Sequence, residues 1–294
     1  MPSDARKIHH SQNFIKRRGL VRELLDASNI STDDLVVEIG PGKGIITKEL
    51  LARARQVIAV EKDRGLATHL SSFANHGNLT VVVADFLSWS LPQQRYKIFS
   101  NIPFNLTTDI VGKITSSPRS ADDAYLIMQE AAAHMFAGQP YENESLKSVR
   151  LSVEFDIEVL RGINRTEFYP EPNVNIAFVH FHKRSSPLVA PNHLQCFYDF
   201  VAYGYTQWQP TVLDAFKKIF SRTQRKRIEQ NFAFATLKPT KLSTEQWIAL
   251  FDVYLRYADT RLRPIVDGSE LRLKSQQSRI TKHHRTRNKS KPAR

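Results

Sequence analysis

Residues 101–104, Asn-Ile-Pro-Phe, follow directly on a short apolar run, residues 96–100. An asparagine side chain offers one carbonyl oxygen as an acceptor, and the backbone carbonyl beside it offers another. Pro103 has a fixed φ and no N–H, so it stiffens the turn that presents those oxygens. Phe104 adds a flat face. Together the four residues form a claw for a planar ring bearing an amino group: two acceptors for the two N–H bonds, and an aromatic surface for the ring. A second set lies upstream, in "VVEIGPGKGIITKEL", residues 36–50. Gly40, Gly42 and Gly44 free the turn of side chains, so a ligand can lie against the backbone and a helix can start close to the strand. Their spacing is G-x-G-x-G, not the G-x-G-x-x-G of dinucleotide sites, and Glu38 stands just before them. Glu61, 21 residues after Gly40, ends the next apolar run. A carboxylate there can accept both hydroxyls of a ribose. Asp85 and Phe86 end a third run and offer an acceptor for an adenine amino group beside an apolar wall. Each acid also fits a plain strand-end cap, and the glycines fit a plain tight turn.

These groups need elements that bring them to one place. Residues 35–39, 56–60, 79–84, 96–100 and 124–128 are near-continuous apolar runs, the pattern of strands buried on both faces of a parallel sheet. Helix-like segments such as "GIITKELLARA" and "RGLATHLSSFA" connect the early ones, which predicts a doubly wound α/β sheet with right-handed crossovers. Residues 148–163 and 174–184 read as a long antiparallel pair that closes the sheet. A Pro- and Ser-rich stretch at 183–193 reads as a linker, and the pattern after it is helical. The expected organisation is an α/β domain over 1–184, a helical domain over 192–268 and a disordered basic tail over 271–294.

The chain has 294 residues and a net charge of +13. Residues 271–294 contain nine Lys or Arg and no acid, so the first 270 residues carry only +4. A tail of that kind attracts phosphate without reading sequence. The single cysteine, Cys196, excludes an internal disulfide, and neither a signal core nor a membrane-length apolar run is present. The expected location is therefore the cytoplasm. His9, His10, His134, His283 and His284 do not make a ligand set, so no metal is expected.

Glu-x-Gly-x-Gly-x-Gly, then Glu61, Asp85-Phe86 and Asn-Ile-Pro-Phe, resembles the motif series of S-adenosylmethionine-dependent amino-methyltransferases. "HSQNFI" at 10–15 and "NIPFNLTTDIVGKI" at 101–114 narrow the resemblance to the Erm family, which methylates the exocyclic amine of an adenine in large-subunit ribosomal RNA. The resemblance covers residues 8–184 strongly and the helical region loosely. It implies a Rossmann-like methyltransferase domain, S-adenosyl-L-methionine as cofactor, 23S ribosomal RNA as partner and a monomer. Asn13 and Ile15 match positions that close over the cofactor. Gly40 and Gly42 match the turn at its methionine part, Glu61 the ribose contact, Asp85 and Phe86 the adenine end, and Asn101 a contact to cofactor and substrate alike. Phe168 matches a second aromatic at the pocket mouth, although its sequence environment fits a core position equally well. Two departures stand out: Phe104 replaces a tyrosine common in the family, and residues 128–136 lack a basic residue usual there.

On this reading the target base leaves its stack to reach Asn101, Ile102, Pro103 and Phe104. RNA contacts are expected from Arg6, Lys7, Lys16, Arg17 and Arg18, from Arg222, Arg225, Lys226 and Arg227, and from the tail. The 222–227 cluster also fits a solvated helix face. The competing functional readings are a small-subunit ribosomal RNA adenine dimethyltransferase and a non-catalytic RNA-binding protein of the same fold.

Overall fold

The five apolar runs become five parallel strands. A computed structural model describes residues 13–73, 77–116 and 119–279. In chain order the first part contains β1 (Phe14–Ile15), α1 (Arg18–Asp26), β2 (Leu35–Ile39), α2 (Ile45–Leu51), β3 (Gln56–Glu61), α3 (Arg64–Ser71), β4 (Leu79–Val83), β5 (Lys97–Asn101), α4 (Thr107–Ser116), β6 (Asp123–Gln129), α5 (Glu130–Ala137), α6 (Leu146–Glu154), β7 (Phe155–Ile163), β8 (Phe168–Tyr169) and β9 (Ile176–Lys183). The main sheet has the order β4-β3-β2-β5-β6-β9-β7. The first five of these strands are parallel; β9 runs antiparallel to β6, and β7 antiparallel to β9. Alternate residues feed two apolar layers. Val37, Ile98 and Leu126 pack on one face, and Val36, Phe99 and Ile127 on the other. The central strands β2 and β6 are buried along almost their whole length because both faces are covered, whereas the edge strands β4 and β7 are partly exposed.

The strand order reverses between β2 and β5. In an open α/β sheet that is where a crevice opens beyond the carboxyl ends of the strands. The glycine turn leaves β2 there and the Asn-Ile-Pro-Phe segment leaves β5, so the topology alone makes the two motifs neighbours.

Two expectations need correction. Residues 148–163 are not strand throughout: the first half is helix α6. Ser145 caps it by accepting from the Ser148 N–H, Ser148 returns a bond to the Ser145 N–H, and Val149 and Val153 put one face into the core. The tail expected to be disordered from 271 begins as a helix, because Asp199 accepts the Gly268 and Glu270 N–H groups and organises its first turn. Residues 280–294 lie outside the described residues.

The chain divides between positions 188 and 189. The Pro- and Ser-rich stretch is tied to the first unit up to Leu188, whose N–H donates to the Val153 carbonyl at 2.9 Å, as does that of Arg184 to Glu154. The second unit contains α7 (Leu194–Thr206), α8 (Val212–Ala215), α9 (Arg222–Asn231), α10 (Thr244–Tyr257), α11 (Arg263–Val266) and α12 (Ser269–Arg279). Its core is aromatic, with Phe200 stacked on Phe216 at 4.3 Å and packed against Trp247, Phe251 and Tyr254. Among the described residues no helix is long and apolar enough to cross a membrane.

At the amino-terminal end of β6, opposite to Asn101, Asp123 is buried and accepts from His180 at 2.7 Å, His182 at 2.8 Å and Asn29 at 3.1 Å. The two histidines share one face of β9 by the two-residue period of a strand. These three side chains could in principle ligate a metal, but here they are engaged with one another. Burial would raise the Asp123 pKa; the three hydrogen bonds outweigh it and hold the carboxyl well below the usual range. Such a depressed group stabilises the fold above its unfolded pKa of about 3.9, and the contribution is lost as pH falls toward its folded value. Wild-type stability should therefore drop more steeply than that of Asp123→Asn below about pH 4. Asp123→Ala should cost roughly 1–3 kcal/mol at neutral pH, chiefly for the half-buried His180 that loses its acceptor. Urea unfolding across pH checks both; parallel curves for wild type and Asp123→Asn would refute the first.

Candidate functional site

Asn101 is the last residue of β5, and its amide is oriented by its surroundings. Nδ2 donates to the Asn13 carbonyl at 2.7 Å. A carbonyl accepts only from a donor, so the nitrogen faces Asn13 and the side-chain oxygen faces the other way. That oxygen, Oδ1, is buried without a hydrogen-bond partner. Buried polar atoms are nearly always paired, so an unpaired acceptor at a strand end calls for an explanation. Asn13, Phe14, Gly40 and residues 101–104 line a cavity of about 30 Å³ beside it. That is room for one or two heavy atoms.

The claw residues are rigidly mounted. The Ile102 side chain is buried in the core, and its N–H donates to Ile127 at 3.2 Å. Pro103 is extended, with φ −60° and ψ 124°, and Phe104 starts a short 3-10 turn into α4. Ser100, just before Asn101, donates from Oγ to the Ile39 carbonyl at 2.5 Å and so ties the end of β5 to the end of β2.

At the glycine turn, Gly40 has φ +62°, and a Cβ built on it would meet nothing within 4 Å. Its backbone therefore borders open space. Gly44, at φ +78°, is the opposite case: a Cβ there would come within 2.5 Å of Phe73 and 2.7 Å of Leu70. One glycine leaves a cradle, and the other lets α2 start tight against α3. Gly42 donates its N–H to Glu61 Oε2 at 3.1 Å. Glu61 Oε1 accepts from Asp63 N–H at 2.9 Å, and the side chain is only 3 % exposed. Each oxygen retains acceptor capacity, so Glu61 is held in place by the backbone without being used up.

Glu38, one strand over, is buried to 1 % exposure and accepts from Thr47 Oγ1 at 2.7 Å. Burial pushes its carboxyl up to about 8; the Thr47 bond opposes this and the nearby charge of Glu61 adds to it. Asp85 is already engaged, although each of its oxygens keeps acceptor capacity. Its Oδ2 pairs with Lys62 at 2.8 Å, and its Oδ1 caps the Leu87 N–H at 2.9 Å. The Lys62 bond, aided by the Leu87 N–H and opposed by burial, holds its carboxyl below the usual range. Phe86 is buried beside Trp89, and Lys113 of α4 lies over its ring. Lys113 also donates to the carbonyls of Phe86, Leu87 and Trp89. Sequence reasoning missed this staple, which fixes the loop after β4 to the helix after the claw. No local signal announces it, because its acceptors are 24 to 27 residues away.

Burial sorts the residues of β1 and β8. In the segment before α1, Phe14 lines the cavity, whereas Ile15 turns into the core and pairs with Phe168. Strand alternation separates the two neighbours. Phe168 itself is 1 % exposed, so of its two expected roles the structure shows the core one; the adjacent Tyr169 is 71 % exposed.

The cations also sort by structure. Arg17 is bound to Glu167 and Glu23, and Arg18 shares Glu49 with Arg22. Their charge is partly balanced by these carboxylates while the guanidiniums stay more than half exposed. Lys16 is exposed, and Arg6 and Lys7 lie outside the described residues. In the second unit Arg222, Lys226 and Arg227 are exposed on α9. Arg225 is half-buried, and its Nε is without a hydrogen-bond partner.

A family model described as ribosomal RNA adenine dimethylase matches residues 3–255. The chain is 32 % identical over 252 residues to a protein of Limosilactobacillus reuteri named rRNA adenine N-6-methyltransferase, covering 85 % of this chain and 97 % of that one. It is 30 % identical over 217 residues to the ribosomal RNA small subunit methyltransferase A of onion yellows phytoplasma, covering 71 % and 80 %. Among solved structures, the 23S rRNA methyltransferase ErmE superposes with a TM-score of 0.76 at 26 % identity, covering 83 % of this chain and all of that one.

The raised Glu38 pKa has a signed consequence. A carboxyl that ionises later in the folded state stabilises the fold fully below its unfolded pKa of about 4.3. That contribution is lost as pH rises through its folded value of about 8. Glu38→Gln keeps an acceptor for Thr47 and cannot ionise. It should match wild type near pH 4 and exceed it in stability above about pH 8. Urea midpoints at the two pH values test this, and a constant difference between the proteins would contradict it.

Proposed function

The chain belongs to the ribosomal RNA adenine dimethylase family, and from that premise we propose that it methylates N6 of a specific adenine in the peptidyl-transferase loop of 23S ribosomal RNA. The observation that carries this reading is the buried, unpartnered Oδ1 of Asn101, its direction set by the Asn13 carbonyl. The residues present also fit S-adenosylmethionine: Gly40 borders open space, and Glu61 is buried with acceptor capacity left. Gly40, Glu61, Asp85, Phe86, Asn13 and Asn101 would hold the cofactor, with Gly42 and Phe14 shaping the turn beneath it. S-adenosylmethionine supplies, when bound, an electrophilic methyl group on its sulfonium.

The protein's own task is to make a poor nucleophile attack in line. The N6 lone pair of adenine is delocalised into the ring. Asn101 Oδ1 and the Ile102 carbonyl accept its two N–H bonds, which turns the lone pair out of conjugation and aims it. Pro103 keeps the second acceptor in place, and Phe104 stacks on the base, an interaction typically worth ~1–3 kcal/mol. No strong general base is required, since the methylated amine loses its extra proton readily to water. A base inside a helix cannot reach a claw at a strand end, so the target is extruded or lies in a loop.

The likeness to ErmE supports the large-subunit target, and so do "HSQNFI" and "NIPFNLTTDI". Methylation there would remove a hydrogen-bond donor and add bulk where macrolide, lincosamide and streptogramin B compounds bind, giving resistance. The similarity to the small-subunit methyltransferase of phytoplasma favours the second reading, an adenine near the 3′ end of 16S ribosomal RNA.

Labelled methyl transfer to separated protein-free ribosomal RNAs, with mapping of the product, decides between the two. A modified adenine in the peptidyl-transferase loop is expected; adjacent modified adenines in the small-subunit RNA would replace the proposal by the second reading. Asn101→Ala should lower the transfer rate at least about 100-fold, as for loss of a donor or acceptor that meets the reacting group, while costing only about 1 kcal/mol in stability for the lost bond to Asn13. Gly40→Ala should weaken cofactor binding more than about tenfold for a stability loss near 1 kcal/mol. Gly44→Ala should cost about 2 kcal/mol or more in stability, because it combines the same backbone strain with overpacking. Calorimetric titration and thermal melts distinguish them.

A further inference from the structure

The second unit contains a groove of about 600 Å³ between α9 and α10, within the usual size of ligand sites. Ile228, Phe232 and Val253 form its apolar lining, and Arg227, Arg256 and Tyr257 its rim. Helical periodicity puts these side chains together: 249, 252, 253, 256 and 257 follow the spacing of one stripe on α10, as 224, 227, 228 and 231 do on α9. The groove is braced. Gln224 accepts the Ser221 N–H at the start of α9 and donates to the Tyr257 carbonyl at 2.5 Å near the end of α10.

Arg227 and Arg256 form no ion pair among the described residues, and Tyr257 is 62 % exposed with no ring stacked on it among them. Arg222 and Lys226 continue the positive track along the exposed side of α9. Among the described residues Asp252, itself exposed, is the one acid lining the groove, so cations predominate. An aromatic surface beside unpaired guanidiniums matches a base with its flanking phosphates. The lone carboxylate matches an exocyclic amino group on that base.

We propose that this groove binds a nucleotide of single-stranded RNA, with the base against Tyr257 and the adjoining phosphates on Arg227 and Arg256. The site deepens the ribosomal RNA reading and rests on it for the identity of the RNA, but not for the chemistry of the groove. It would hold a single-stranded segment of the substrate apart from the methylated adenine.

The test uses the full chain, a short fluorescein-labelled single-stranded RNA and a duplex of the same length, read by anisotropy. Tyr257→Ala should weaken single-strand binding on the order of tenfold, leave duplex binding unchanged, and be rescued by Tyr257→Phe. Replacing Arg227 and Arg256 together by Gln should flatten the slope of log affinity against log salt for the single strand by roughly 1.4, about 0.7 for each phosphate no longer neutralised. Equal affinity of wild type and Tyr257→Ala for the single strand overturns the proposal, as does an equal loss for single strand and duplex. Should Tyr257→Ala fail to fold, the salt slope of the Arg pair decides, and an unchanged slope overturns it. A chain that methylates no ribosomal RNA yet shows the Tyr257 effect would defeat the function proposed above and leave the groove intact; methylation without the effect would do the reverse.

Discussion

The pairing of β2 with β5 is the constraint on which the site depends. Val36 and Val37 lie in register with Lys97 and Ile98, so the two strands end together. The sheet grows away from that pair in both directions, through β3 and β4 on one side and β6 on the other. Crossovers therefore leave the pair's carboxyl ends uncovered. Gly40 and Asn101 emerge into that gap, and the Ser100 bond to the Ile39 carbonyl locks their relative position. Asn13, from a segment far away in sequence, completes the arrangement by taking the nitrogen of the Asn101 amide. A single backbone carbonyl thus decides which atom of that amide is offered to a ligand.

Beside this pair the fold buries two carboxyl groups, Glu38 and Glu61, and the difference in their partners separates their roles. Glu61 receives two backbone N–H groups from the turns around it. Glu38 receives one hydroxyl, from Thr47, and is pushed up to about 8. Desolvation beside another carboxyl group favours the neutral form of Glu38. Glu38 therefore serves as a buried brace between β2 and α2, while Glu61, fixed by two backbone donors, is the acid proposed for the cofactor's hydroxyl groups. On the far side, Lys113 and Lys62 fix the loop that carries Asp85 and Phe86. The crevice walls are thus held by side chains from the elements that follow them.

Charge is distributed by the same logic. The arginines before and within α1 satisfy carboxylates of the first unit, with Glu49 buried between Arg18 and Arg22. Such pairs orient helices, and their fields partly cancel. On α9 the exposed cations form no ion pair among the described residues, so their field reaches solvent and any polyanion there. Net charge alone could not distinguish these two populations.

The sequence by itself determined the α/β class and the five parallel strands, because a strand buried on both faces must be apolar along nearly its whole length, and the runs at 35–39 and 56–60 are so but for Glu38 and Gln56. It also determined the glycine turn, the claw and the two following acids as motifs, since each is a local demand on backbone or side-chain chemistry. Helix α6 was hidden because its apolar residues pass without a break into β7, and only the Ser145 cap marks its start. The orientation of Asn101, the raised pKa of Glu38 and the Lys113 staple were invisible for a different reason. Each depends on an atom supplied from another element: 88 residues away for Asn13, and across a strand pair for Glu61. The same holds for Phe168, which the pairing with Ile15 turns into the core, and for the groove on α9 and α10, which Gln224 braces by reaching Tyr257. Local chemistry is written in the order of residues, but burial and partnership are properties of the folded arrangement, and they decide which of the written groups is left free to act.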